Sequence, residues 1–289
     1  MNKITGATVL TGLLGSPVAH SISPAMHNAA YEFLHLDYVY LAFDVSCENL
    51  KTTVDGLKTM HARGFNLTMP HKVAVMEFLD EITPAARLAD AVNTVVNENG
   101  RLIGYNTDGA GYFSALKESG FLPANKKMTI LGAGGAASAI IAQAALDDMK
   151  EISVFKRKNA SFEKTEHFCE RISSETGCII HVYDMQDAFT LKEEIATSDL
   201  LTNATNVGME PNSKDCLVTK DVLFPKLFVS DIIYHPRKTM LLSLAEEIGC
   251  TTQNGLSMLL YQGADAFLLW TGKEMPIFYV KEQLGAEKI

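Results

Sequence analysis

No stretch of this chain approaches the roughly 18 consecutive apolar residues that a membrane span needs. The apolar N-terminal patch in MNKITGATVLTGLLGS is interrupted by Gly and Thr, so it reads as a first strand and not as a signal peptide. A basic excess is missing too. The formal net charge of −9 argues against a nucleic-acid surface, yet it leaves room for a small anionic substrate, which feels local charge. The cysteines, Cys47, Cys169, Cys178, Cys216 and Cys250, are odd in number and show neither CxxC nor metal-ligand spacing. They read as reduced thiols, which points to the cytoplasm and to no bound metal. Internal repeats and low-complexity linkers are also absent, so composition alone marks no domain boundary.

A length of 289 residues exceeds the usual single domain and predicts two. A hydrophobic fraction of 47% lets both bury a core without staples. Strands at 8–15, 38–45 and 64–68 alternate with helices at 23–36 and 48–62, followed by helical patterns at 72–79 and 83–90. Asn97-Glu98-Asn99-Gly100 then joins two strands in a hairpin. After a helix at 109–119, strands at 128–131, 152–155, 179–182, 199–202, 228–233 and 250–253 alternate with helices. Two apolar helices, 255–272 and 276–285, close the sequence. The pattern predicts an α/β fold of mostly parallel sheets, with the hairpin as an antiparallel exception.

Gly132-Ala133-Gly134-Gly135-Ala136-Ala137 follows the strand Met128–Leu131 and opens a long helix, which fits a dinucleotide-binding turn. The first Gly makes the turn and the second admits a pyrophosphate. The small Ala137 permits close packing, and the helix N-terminus supplies N–H donors. The next strand ends without the acidic residue that holds the free ribose of NAD. Lys156, Arg157, Lys158 and Asn159 stand there instead. Basic residues suit the 2′-phosphate of NADP, Asn159 can bond a free ribose, and a solvated charge cluster explains the run equally well.

Hydride chemistry on an alcohol also needs a group that takes the hydroxyl proton. The stretch GFNLTMPHK offers Lys72 just past a strand end, where Pro70 stops the strand and Asn66 braces the turn. A second polar strand end, GYNTDGAG, presents Asn106, Thr107 and Asp108. Taken singly, Lys72 is a surface lysine and Asp108 a helix cap. Held together they would qualify as an acid–base pair, and their joint occurrence with AVNT (91–94) is harder to explain by packing alone. Ser21 and Ser23 lie beside a helix start that Ser23 caps ahead of Pro24. Hydroxyls at i and i+2 of an extended segment face one side, and next to a helix N-terminus they can hold a carboxylate without an Arg.

GSPVAHSISPAMHNAA, GFNLTMPHK, AVNTV, GYNTDGAG, GAGGAA and NGLSMLLYQGADAFLLWTG occur in the order found in shikimate dehydrogenases. The chain resembles that family along essentially its whole length, and VFKRKN and LLYQGADAFLLWTGKEMP look most like its quinate/shikimate dehydrogenase branch. The resemblance implies a substrate-binding domain of residues 1–110 with 255–289. A Rossmann-type NAD(P)-binding domain, 111–254, is inserted into it. It implies reversible oxidation of shikimate or quinate to the 3-dehydro ketone, in aromatic amino-acid biosynthesis or quinate utilisation.

Matched position by position, Lys72 and Asp108 are the catalytic dyad and also touch substrate. Ser21 and Ser23 hold the carboxylate, and Thr68, Asn93 and Gln262 bond ring hydroxyls. Tyr234 is the site tyrosine. Gly132, Ala133, Gly134, Gly135, Ala136, Lys156, Arg157, Lys158, Asn159, Asn206, Ile232 and Gly255 match cofactor-contacting positions. The biosynthetic members read the 2′-phosphate with an Asn-Arg-Thr sequence and a further Arg, which this chain lacks, so the resemblance implies NAD or NADP with a slight lean to NAD. The implied partner is a small molecule, with no nucleic acid or membrane, and a homodimer is compatible with the sequence. A ligand-sensing regulator of quinate metabolism shares this architecture, but it would not need the Lys–Asp pair and would carry an extra domain. A methylenetetrahydrofolate dehydrogenase-like enzyme would have no use for the Ser-x-Ser site.

Overall fold

Apolar strands alternating with helices build two six-stranded sheets. The structure, a computed structural model, describes residues 4–285. Residues 1–3 and 286–289, which the expected first domain includes, lie outside the described residues.

Along the chain come β1 (Val9–Gly15), α1 (Ser23–Phe33), β2 (Tyr38–Asp44), α2 (Leu50–Thr59) and β3 (Gly64–Leu67). Next are α3 (His71–Ala74), β4 (Glu81–Ile82), α4 (Pro84–Leu88), β5 (Thr94–Glu98), β6 (Arg101–Tyr105) and α5 (Asp108–Glu118). Then follow β7 (Lys127–Leu131), α6 (Gly135–Leu146), β8 (Glu151–Lys156), α7 (Phe162–Thr176), β9 (Ile179–Asp184) and α8 (Ala188–Ala196). The last are β10 (Leu200–Asn203), β11 (Phe228–Asp231), α9 (Met240–Ile248), β12 (Thr251–Gln253), α10 (Gly255–Thr271) and α11 (Ile277–Gln283). The helix expected at 72–79 is the short α3 continued by a 3₁₀ turn, Val75–Phe78, and the two-residue β4 was too short to leave a pattern.

Of the described residues, those up to Gly111 and those from Leu260 onward form one compact unit, and Tyr112–Leu259 form the other. Both crossings fall inside helices, α5 and α10, which is why no linker composition announces them.

The first unit's sheet has the order β2-β1-β3-β5-β6-β4. β1 runs parallel to β2 and β3, whereas β5 runs antiparallel to both β3 and β6. The reversal comes from the expected hairpin. Asn99 and Gly100 both take positive φ, 53° and 91°, as a two-residue turn between twisted strands requires. Leu14, Val54, Phe65, Leu67, Val95 and Leu102 belong to one core cluster of this unit. His27 and Tyr31 of α1, Tyr40 of β2, and Phe267 and Trp270 of α10 pack as an aromatic group.

The second unit's sheet is wholly parallel, in the order β12-β11-β10-β7-β8-β9. Counting β7 as its first strand gives 3-2-1-4-5-6, the order of a dinucleotide-binding fold. The order reverses between β7 and β10, where such sheets open a crevice. Small residues line α6, and Ala137, Ile140, Ile141 and Ala144 are buried.

Candidate active site

Because β5 is reversed, its first residue lies at the same sheet end as the last residues of β1, β3 and β6. That end gathers Ser21 and Ser23 after β1, Thr68 and Lys72 after β3, Asn93 before β5, and Asp108 after β6. Gln262 of α10 joins them, its Oε1 3.4 Å from Asn93 Nδ2. Seven of the expected site residues therefore belong to the first unit.

Lys72 Nζ donates to Asp108 Oδ2 over 2.6 Å, a charge-assisted contact between largely buried partners. Asn93 Nδ2 donates to the other oxygen, Asp108 Oδ1, at 2.9 Å, and to Thr107 Oγ1 at 3.0 Å. The Thr107 backbone N–H returns a bond to Asn93 Oδ1 at 2.7 Å. Val92 N–H holds the Lys72 carbonyl at 2.8 Å, which fixes the backbone from which the lysine extends. His71, fully buried, places Nε2 2.7 Å from Val45 O and anchors the same turn.

Three expectations change here. Asp108 is the first residue of α5 and does not act as its cap. Asn106 Oδ1 accepts the Asp108 and Gly109 N–H groups at 3.1 and 3.4 Å, which leaves the Asp108 carboxylate to Lys72 and Asn93. Ser23 is likewise the first residue of α1 and caps nothing. The preceding Ile22 is helical in φ and ψ, so the serines do not sit on an extended segment, and Ser21 Oγ accepts the Ser23 N–H at 3.2 Å. Asn66, lastly, does not brace the turn but reaches sideways. Its Nδ2 donates to Asn93 O and Thr94 Oγ1, and its Oδ1 accepts from the Tyr40 hydroxyl at 2.8 Å.

Tyr40 was missed in the sequence. Its phenol lies beside the Ser23 hydroxyl, and burial pushes it well above the ordinary tyrosine range. A polar chain thus runs Ser23–Tyr40–Asn66–Asn93–Asp108–Lys72. Nothing in the strand YVYLAFD distinguishes Tyr40 from any other aromatic strand residue.

The second unit collects the remaining positions at the C-terminal ends of its strands. Gly132–Ala136 follow β7, Lys156–Asn159 end β8, and Asn206 follows β10. Ile232 and the exposed Tyr234 follow β11, and Gly255 follows β12. Gly132 has φ +107°, and a side chain there would stand 2.8 Å from Ala204 O. At Gly134 and Gly135 an added Cβ would meet no atom, so their backbone faces open space ahead of α6. That exposed N-terminus, with no side-chain cap of its own, fits a pyrophosphate. Lys156 Nζ is tied to Asn159 Oδ1 at 2.9 Å and Ser161 Oγ at 2.7 Å, and Lys158 Nζ lies 5.9 Å from the centre of the Phe162 ring. At the end of β11, burial pushes the Asp231 carboxyl up, while bonds from Ile233, Thr239 and Asn203 pull it the other way. Among the described residues no helix is long and apolar enough to cross a membrane.

Comparisons with known proteins bear on the family. The family profile of the shikimate dehydrogenase substrate binding domain matches residues 13–95, and that of the shikimate 5′-dehydrogenase C-terminal domain matches residues 255–284. A Listeria innocua protein named shikimate dehydrogenase (NADP(+)) is 53% identical over 283 residues, 98% of this chain and 97% of that one. The crystal structure of Listeria monocytogenes shikimate 5-dehydrogenase in complex with shikimate and NAD has a TM-score of 0.96 and 52% identity, covering 98% of this chain and 99% of that one. Quinate dehydrogenase from Corynebacterium glutamicum in complex with NAD is 30% identical with a TM-score of 0.87, covering 96% and 99%. With this similarity running over nearly the full length of both chains, the chain belongs to the shikimate dehydrogenase family.

Proposed function

We propose that this protein catalyses the reversible NAD(P)-dependent oxidation of shikimate, and of the related acid quinate, to the 3-dehydro ketone. The observation that carries the reading is the 2.6 Å contact between Lys72 Nζ and Asp108 Oδ2 inside a closed polar network.

The domains in this reading are residues 1–110 with 255–289 for substrate and 111–254 for the nucleotide. Ser21 and Ser23, at the start of α1, receive the substrate carboxylate, and Thr68, Asn93 and Gln262 receive ring hydroxyls. Lys72 takes the proton of the reacting hydroxyl while Asp108, held by Asn93, fixes the ammonium group and balances its charge. Bound NAD(P)⁺ supplies the hydride acceptor. In the reverse direction Lys72 returns the proton to the carbonyl oxygen. Tyr234 is assigned a substrate contact as well. Gly132–Ala136, Asn206, Ile232 and Gly255 hold the nucleotide, and Lys156–Asn159 hold its adenosine ribose.

On cofactor choice we propose that both nucleotides serve. The basic corner of Lys156, Arg157 and Lys158 favours a 2′-phosphate, and the Listeria innocua relative is named for NADP(+). Lys156–Asn159 include no acidic side chain to repel that phosphate, while Asn159 can serve a free ribose. The Listeria monocytogenes relative, for its part, was crystallised with NAD. A regulator without activity would have no need of the Lys72–Asp108 pair. Nicotinamide absorbance followed over a two-by-two grid, shikimate or quinate against NAD or NADP, tests the proposal. Turnover of at least one acid supports it, and no change with either acid would remove it.

A further inference from the structure

Asp231 ends β11 fully buried, and no step above uses it. Three donors surround its carboxylate. Asn203 Nδ2 donates to Oδ1 at 3.1 Å, Ile233 N–H to the same oxygen at 3.0 Å, and Thr239 Oγ1 to Oδ2 at 2.8 Å. The carboxylate accepts on both oxygens, two N–H donors on Oδ1 and the Thr239 hydroxyl on Oδ2.

Each donor belongs to a different piece of the C-terminal sheet end. Asn203 is Asp231's register partner on β10 and shapes the loop that follows. Its Nδ2 also reaches Val207 O at 3.1 Å, and its Oδ1 accepts Thr205 N–H and Oγ1 at 3.1 and 2.7 Å. That loop carries Asn206. Ile232 N–H bonds Asn203 O at 3.0 Å, and Ile233 O accepts the Gly255 N–H at 3.0 Å, so the segment after β11 is tied both to β10 and to the start of α10. Thr239 is the N-cap of α9 and closes the segment that bears Ile232 and Tyr234.

We propose that Asp231 is a positioning residue for nucleotide binding. Through Asn203, Ile233 and Thr239 its buried carboxylate sets the relative placement of Asn206, Ile232 and Gly255. The proposal rests on the cofactor reading given above. Asp231→Ala removes both accepting oxygens and leaves all three donors without their partner, whereas Asp231→Asn would not, because the Thr239 hydroxyl can turn and accept from the amide.

The test measures nucleotide Kd by calorimetry on the full-length protein, together with kcat and both KM values. Asp231→Ala is expected to raise the Kd for NAD and NADP about tenfold, while the shikimate KM stays near wild type. Thr239→Val should raise the nucleotide Kd as well, whereas Thr239→Ser, which keeps the hydroxyl, should restore it. A residue that matters only for folding would lower Tm and the active fraction but leave the Kd of the folded protein unchanged. That result would overturn the proposal. Should Asp231→Ala not fold, the Thr239 pair decides, and equal Kd values for Val and Ser would overturn it. Wild-type protein that binds neither nucleotide would instead remove the dehydrogenase reading itself.

Discussion

The indole of Trp270 occupies the space above Gly64, where an added Cβ would stand 2.2 Å from the indole nitrogen and 2.3 Å from Val95 O. The indole N–H donates to that same carbonyl at 3.0 Å. Arg63, one residue earlier, donates to the carbonyls of Trp270, Leu269 and Asn97. Gly64 is therefore the point at which α10 is locked onto β3 and β5, and its lack of a side chain is the condition for that lock. Gly64→Ala is expected to displace Trp270 and break its bond to Val95. The loss should be about 3 kcal/mol of unfolding free energy, from overpacking plus one hydrogen bond. Denaturant titration measures it, and an unchanged midpoint would refute the assignment.

Lys72→Ala should lower kcat by about 10²–10⁴-fold, the usual worth of a positioned acid–base group. Nucleotide affinity should change little, because the lysine belongs to the first unit's site. Steady-state kinetics beside direct nucleotide titration separates the two effects. Wild-type turnover would end the dyad assignment.

Asn106 makes a subtler case. By capping α5 it relieves Asp108 of that duty. Asn106→Ala should cost about 1 kcal/mol of stability through the lost cap. It should also lower kcat several-fold, since the freed N–H groups compete with Lys72 for the Asp108 carboxylate. A stability loss with kcat unchanged would show that the cap does not matter for the dyad.

Burial of His27 gives a pH dependence with a definite sign. It stacks on Tyr40 at 4.3 Å, and desolvation pulls its pKa down from 6.5 to about 3. The folded protein holds it neutral while the unfolded chain protonates it near 6.5. Its contribution is therefore fully present above pH 6.5 and is lost as pH falls from there toward 3, at about 1.4 kcal/mol per unit. Denaturant midpoints measured between pH 7 and pH 5 should fall for wild type and fall less for His27→Phe. Parallel curves would refute the origin in His27.

Much of this was legible before any coordinates. The glycine turn after β7, the Asn99-Gly100 hairpin and the polar ends of β3 and β6 are local signals, each set by neighbours in the chain. The roles of Ser23, Asp108 and Asn66 were less so, because they depend on which of several nearby polar groups wins a backbone N–H. For α5 the winner is Asn106, and for α1 it is Ser21. Tyr40 and Asp231 left no trace, since their partners lie in other strands and loops. The bond from Tyr40 to Asn66 spans 26 residues, and that from Asp231 to Asn203 spans 28.

The first unit is discontinuous: it is completed only by residues from Leu260 onward. On a ribosome this reverses the order in which the two halves can finish. The second unit has all six of its strands once Gln253 has emerged, whereas the earlier-made sheet still lacks the helix whose Trp270 seals Gly64. The half synthesised first must wait, with its aromatic face uncovered, until the helix bearing Trp270 has been made.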